Sequence, residues 1–318
     1  MTVIINKAPD EIPIICLMGA TATGKTDAAA QAFDQFGAEI ISVDSSLVYQ
    51  GMNIGTAKPD EDFLVKYPHH LVDVRHPNDT YSVADFYSDT VALIRRITAE
   101  GKVPVLAGGT MFYFNALEHG LTELPKANDV LRQQITLEAE ELGWPKLHER
   151  LASLDAESAK RIDSMDAQRI QRALEIVLSS GTTVAQHNAH RKPPLPNPLV
   201  KIALSFSDRA VLHDRIERRF DIMLEQGLVG EVEQLLNDGV DAESTSMKMI
   251  GYRQMLEYLD EKLTYDEMRF KGIVATRQLA KRQLTWLRNQ KNLIWWVDVG
   301  LKSKEFQPLM TLIKNFLV

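Results

Sequence analysis

The chain has 318 residues, 45% of them hydrophobic and 25% charged, with Cys16 as its single cysteine. That composition excludes a disordered or collagen-like chain, and one cysteine excludes both a disulfide framework and a cysteine-based zinc site. The formal net charge of -7 argues at first against a nucleic-acid partner, but its distribution points elsewhere: residues 1–100 carry 7 Lys/Arg against 14 Asp/Glu, whereas residues 269–318 carry 10 against 2. The apolar run 12–18 is too short to span a bilayer and follows Asp10 and Glu11, where a secretion signal carries positive charge, so a soluble, cytoplasmic protein with no membrane partner is expected.

In chain order, short apolar runs at 14–18, 40–43, 71–74 and 103–107 predict strands, alternating with helical patterns over 26–36 and 84–97. Strands that alternate with helices imply right-handed crossovers and a parallel sheet, with ligands gathered at the carboxyl ends of the strands. From 117 to 190 the periodicity is helical throughout, as in 130–142, 145–154 and 168–178, and this stretch reads as an all-helical insertion. The core is therefore expected in two parts, 1–116 and 191–318. Pro193, Pro194, Pro196 and Pro198 suit a semi-rigid connector at the boundary, around which the insertion moves as a unit. Beyond it, 200–206 predicts a returning strand, 209–236 a long helix or a pair, 265–290 a helix rich in Arg and Lys, and 293–299 a last strand.

Gly19, Ala20, Thr21, Ala22, Thr23, Gly24, Lys25 and Thr26 fit G-x-x-x-x-G-K-[ST] at every fixed position, between an expected strand and an expected helix. Glycines let backbone N–H groups converge on phosphate oxygens, the lysine neutralises their charge, and the hydroxyl of Thr26 is suited to Mg²⁺. The motif recognises a diphosphate or triphosphate without saying what is attached to it. The acid that nucleotide-hydrolysing relatives place after a second apolar strand is missing after 103–107, where Gly108, Gly109 and Thr110 follow, and Asp73 lies inside its apolar run. Asp44, at the expected end of the second strand, suits three roles: a magnesium ligand, a helix cap, or a general base.

The motifs at 19–26, 40–49 (IISVDSSLVY), 51–59 (GMNIGTAKP), 108–113 (GGTMFY), 168–175 (QRIQRALE), 251–254 (GYRQ) and 275–288 (ATRQLAKRQLTWLR) occur in one order along nearly the whole chain. In this the sequence resembles the bacterial tRNA dimethylallyltransferases, also called tRNA isopentenyltransferases. Ala20, Thr23 and Lys248 depart mildly from the family's usual Pro, Ser and Arg. The resemblance implies a P-loop NTPase-like α/β core that uses its P-loop for the diphosphate of dimethylallyl diphosphate, with Mg²⁺ on Thr26. It implies transfer of the dimethylallyl group to the exocyclic amine of an adenine beside the anticodon. Lys25 and Arg219 then meet the diphosphate with Arg215, Thr110 donates to the bridging oxygen, and Asp44 is the base. Arg215 and Arg219 sit four apart, on one helix face, and Arg218 has Glu217 or Asp221 as a surface partner.

The resemblance also implies contacts with the tRNA anticodon stem-loop at Asp44, Ser45, Ser46 and Leu47, at Arg132, and at Gln168, Arg169, Ile170, Gln171 and Arg172. Further contacts are implied at Lys248, Met249, Ile250, Gly251, Tyr252 and Arg253, and at Lys281, Arg282, Gln283, Leu284, Thr285, Trp286, Leu287 and Arg288. Arg277, Lys281 and Arg288 share one face of the basic helix, with Trp286 near it for stacking. A monomer is expected. Three alternatives stand beside this reading: a P-loop kinase, a prenyltransferase acting on a small adenylate, and a tRNA-binding protein without catalysis. The first two leave the basic helix and the insertion without a use, and the third leaves the P-loop and Asp44 unexplained.

Overall fold

The computed structural model describes residues 7–187, 191–298 and 306–317. It divides into two compact units, a core of residues 1–118 and 195–318 and an insertion of residues 119–194.

The core begins with β1 (Ile14–Gly19), fully buried along its length, which runs into α1 (Lys25–Phe36) and then β2 (Glu39–Val43). Next come α2 (Glu61–Lys66), capped by Asp60, and β3 (His69–His70). The strand expected at 71–74 does not form. Leu71 and Asp73 take positive φ, and Asp73 pairs with Lys58, so its carboxylate belongs to a turn. A Ser82–Asp85 capping box starts α3 (Val83–Ala99), which leads to β4 (Pro104–Gly108) and α4 (Met111–His119).

In the insertion, β5 (Leu121–Thr122) pairs antiparallel with β6 (Arg191–Lys192), so the expected connector from 191 opens with a strand pair. Between them lie α5 (Asp129–Leu142), α6 (Trp144–Leu154), α7 (Ala156–Arg161), α8 (Ala167–Ser180) and α9 (Val184–His187). Their apolar faces close one small core of Ile135, Ala139, Leu147, Leu151, Ile170 and Leu174.

The core resumes with β7 (Leu199–Ser205) and α10 (Arg209–Glu225). Gly227, in the left-handed region at φ 94°, breaks the helical run there and starts α11 (Leu228–Asn237), which settles the choice between one helix and two. Then follow α12 (Tyr252–Leu259), the long α13 (Tyr265–Arg288), β8 (Leu293–Val297) and α14 (Gln307–Leu317). Val299, included in the last expected strand, lies outside the described residues. Among the described residues six strands form one parallel sheet in the order β3-β2-β4-β1-β7-β8. One face carries α1 and α14 on a core of Ile15, Leu17, Val105, Ile202, Leu309 and Ile313. Cys16 is sealed in β1, where burial pushes its thiol up to about 12.

Candidate active site

Three neighbouring strands, β2, β4 and β1, deliver their carboxyl ends side by side, and each carries one part of the site. After β1 the P-loop turns through left-handed Ala22 (φ 63°) and Gly24 (φ 85°). Gly19 is required where it stands, because a Cβ there would lie 2.8 Å from the Leu204 carbonyl oxygen. Thr23 Oγ1 donates to the Ala20 carbonyl at 2.9 Å, and Lys25 Nζ curls back onto the same oxygen at 2.7 Å. Thr26 is exposed in the first turn of α1.

After β2, Asp44 Oδ1 accepts from the backbone N–H (2.9 Å) and hydroxyl (2.6 Å) of Ser46. The carboxylate thus closes a turn with one oxygen and caps no helix, since the next one, α2, starts at Glu61 and is capped by Asp60. After β4, Gly108 approaches β2 so closely that a Cβ would meet the Val43 oxygen at 2.0 Å. Thr110 N–H donates to Val43 O at 3.1 Å, and Thr110 Oγ1 accepts from Ser45 N–H at 3.1 Å while its own proton makes a long contact to Ser45 Oγ at 3.4 Å.

These loops open on a cavity of about 520 Å³. The expected site residues brought to it are Thr21, Lys25, Thr26, Asp44, Ser45, Ser46, Leu47, Thr110, Arg219, Met249, Ile250, Gly251, Tyr252, Arg282, Gln283 and Trp286. Arg219 has no carboxylate partner among the described residues. Among the described residues it makes one hydrogen bond, to the Thr56 carbonyl at 3.4 Å, and burial lowers its pKa against the pull of Asp44. Lys25 is pushed down to about 8, chiefly by burial and also by Arg219, with Asp44 opposing. Two desolvated cations and one carboxylate leave the cavity with an excess of positive charge, which suits an anion. Arg215 lies beside the loop instead: its Nε donates to the Ala22 carbonyl at 2.8 Å, with the guanidinium over the Phe206 ring. Arg218 pairs with Asp214, one turn earlier, and neither Glu217 nor Asp221 is its partner.

Gln283 ties α13 to the phosphate loop: its Oε1 accepts from Thr21 N–H at 3.0 Å, and its Nε2 donates to Gly109 O at 2.9 Å. The same face of α13 brings Thr276, Leu279, Arg282 and Trp286 to the cavity. The basic face expected to meet RNA points the other way, so that Arg277, Lys281 and Arg288 border a second cavity of about 260 Å³ with Arg209 and His213 of α10. On that side Arg277 is held by Glu217 (2.7 Å), and Arg269 by Asp221 (2.6 Å) and Glu217 (3.2 Å). Lys248 and Arg253 are exposed, as are Thr285 and Arg288. Leu284, Leu287 and Ala20 are buried, and so is Tyr252 apart from the edge it shows to the cavity, so their side chains serve packing.

Within the insertion, Ile170 is wholly buried in the helical core and offers no surface for RNA. Arg132 and Arg172 both pair with the buried Glu175, at 3.2 Å and 2.8 Å, and Arg172 also donates to Pro125 O. Gln171 donates to Thr136 Oγ1 at 2.8 Å, while Gln168 and Arg169 are exposed. The sequence reading gave no role to Gly55, Thr56, Ala57 or Phe112, all of which line the core cavity, nor to Glu231 behind them. The 51–59 motif was the available signal for the first three.

The fold and site define a P-loop α/β protein that presents a cationic cradle and a carboxylate to one cavity. The family model described as IPP transferase matches residues 47–290. A tRNA dimethylallyltransferase of Thiobacillus denitrificans is 51% identical over 87% of this chain and 89% of its own. That of Aromatoleum aromaticum is 53% identical over 86% of each. Among solved structures, the tRNA isopentenylpyrophosphate transferase of Bacillus halodurans superposes with a TM-score of 0.70 at 35% identity, covering 96% of this chain and 97% of that one. A eukaryotic dimethylallyltransferase acting on tRNA gives 0.77 at 25% identity, covering 96% and 80%. The chain belongs to the IPP transferase family, whose curated members here are tRNA dimethylallyltransferases.

Proposed function

We propose that the chain transfers the dimethylallyl group of dimethylallyl diphosphate to the N6 amine of the adenine 3′-adjacent to the anticodon in tRNA, releasing diphosphate. The observation that carries this reading is the meeting in one cavity of Lys25, Asp44 and Arg219, which has no carboxylate partner among the described residues. The P-loop amides, Lys25 and Arg219 bind the diphosphate and stabilise charge that grows on it as the carbon–oxygen bond breaks. The Thr110 hydroxyl turns its proton from the long 3.4 Å contact with Ser45 Oγ to the bridging oxygen, while Oγ1 still accepts from Ser45 N–H. The adenine nitrogen forms the new carbon–nitrogen bond, and its proton passes to Asp44, whose Oδ2 is not used by the Ser46 turn. A base must leave its stack to reach this depth.

The residues fit a magnesium ion. Thr26 and Asp44 share the cavity, and among the described residues the buried Ser42 Oγ beside them has no partner and no cluster of three metal-ligating side chains competes for a different metal. Mg²⁺ keeps most of its water and takes few protein ligands, so Thr26 and the substrate's own phosphates are enough to hold it. When bound, it neutralises charge on the leaving diphosphate. The exposed Arg253 and Lys281, with Gln168 and Arg169 of the insertion, are the side chains offered to the anticodon stem-loop. No helix among the described residues is long and apolar enough to cross a membrane, and the lone buried thiol suits a reducing cytoplasm.

The test incubates the protein and Mg²⁺ with labelled dimethylallyl diphosphate and either unmodified tRNA or AMP, and separately with ATP alone. Label entering tRNA is expected. Label in AMP only, or turnover of ATP without a prenyl donor, overturns the reading.

A further inference from the structure

Glu231, on α11, spends both carboxylate oxygens on a segment far away in sequence. Oε2 accepts from the backbone N–H groups of Asn53 (2.8 Å) and Ile54 (2.7 Å), while Oε1 accepts from Gly55 N–H (3.0 Å) and the Tyr252 hydroxyl (2.7 Å). Three successive amides aimed at one point form a nest that needs an anion at its centre, and here the chain supplies its own. The far side of that nest is the cavity wall, since Gly55, Thr56, Ala57 and Tyr252 all line the cavity. The wall has no slack. A Cβ on Gly55 would meet the Tyr252 ring at 2.6 Å, and Ala57 is held at φ 50°. From the same turn the Thr56 carbonyl accepts from Arg219 at 3.4 Å, the one hydrogen bond that orients that guanidinium among the described residues.

We infer that Glu231 is a positioning residue of the reaction cavity: its carboxylate fixes the 53–56 turn against Tyr252, so that the Thr56 carbonyl aims Arg219 at the diphosphate. This rests on the reading of Arg219 as a diphosphate ligand. A purely structural staple would lower stability and leave anion affinity alone, whereas positioning ties the loss of affinity to Arg219.

The experiment titrates inorganic pyrophosphate into the full-length protein by calorimetry, for wild type, Glu231→Gln, Arg219→Ala and the double variant. Gln cannot accept on both sides, so Glu231→Gln is expected to bind about tenfold more weakly, and less than about twofold more weakly when Arg219 is already Ala. Unchanged affinity in Glu231→Gln overturns the inference, as does an equal loss in both backgrounds. If the Gln variant does not fold, Glu231→Asp keeps the charge with a shorter reach, and the same dependence on Arg219 is required of it. Failure of wild type to bind pyrophosphate overturns the diphosphate reading itself and this inference with it. Wild-type binding with an unaffected Glu231 variant removes this inference alone.

Discussion

On one face of α10, Arg215 and Arg219 reach the phosphate loop and the pocket with no carboxylate partner among the described residues, while on the face turned to α13, Glu217 and Asp221 engage Arg269 and Arg277. The same residue type on the same pair of helices thus serves opposite ends. A desolvated guanidinium without a counter-ion retains a demand for an anion, whereas a paired one holds helices together. Charge counted along the chain cannot separate these uses. The basic stretch from 269 onward includes two arginines that fasten one helix to another, and an arginine lining the cavity, Arg219, lies in α10, fifty residues earlier than Arg269.

The largest effect expected lies at the acid that faces those cations. Asp44→Ala should lower transfer about a thousandfold, the scale of a lost general base, while tRNA binding by filter retention stays largely intact. Lost tRNA binding would make Asp44 a structural residue and take the carboxylate out of the comparison. Arg219→Ala should raise the KM for dimethylallyl diphosphate about a hundredfold, as suits the removal of a charge-assisted contact. A change below threefold would put Arg219 with the fasteners.

The next effect is one of pH. Burial holds Lys25 at about 8, below the 10.5 of an exposed lysine. Between those values the unfolded chain carries the extra proton, so the ligand-free protein gains stability as pH rises through that window. Affinity for dimethylallyl diphosphate moves the opposite way, falling above pH 8 towards tenfold per unit as the charge leaves. Lys25→Met should flatten both profiles, and a wild-type affinity level to pH 10 would show that the amine contributes no charge to binding. The smallest effect belongs to the seam. Arg269→Ala should leave transfer within about twofold and cost about 1 kcal/mol or less in thermal unfolding, because its partners are substantially exposed. A loss of transfer comparable to that of Arg219→Ala would erase the distinction between the two sets.

What the sequence made legible followed local rules. The P-loop announced itself through its fixed glycines and lysine, Asp44 through its place after an apolar run, and α13 through its period. The bounds of β1, α1, α5, α6 and α13 lie within one or two residues of those expected. The failures have a common physical origin in contacts distant along the chain. The run at 71–74 is apolar enough for a strand, yet Lys58 captures Asp73 and positive φ at Leu71 and Asp73 breaks the extension. Ile170 sits in a polar motif, but the insertion needs its side chain for a core. Glu231 sits on an ordinary-looking helix, and only folding shows the three amides of 53–55 converging on it. Gln283 likewise reads as part of a basic surface until Thr21 and Gly109 are seen on either side of it.

The order of the central strands carries a further consequence. The phosphate loop follows β1, Thr110 follows β4 and Asp44 follows β2, and these strands are immediate neighbours through backbone hydrogen bonds. Adjacent strands stand about 4.8 Å apart whatever side chains they bear, so the phosphate loop and the Asp44 carboxylate are separated by about two such steps. The reach across the cavity floor is therefore a lattice constant of the peptide backbone. Substitution can reshape the walls of the pocket and change what enters it, while the span between its two working ends stays fixed for as long as the sheet exists.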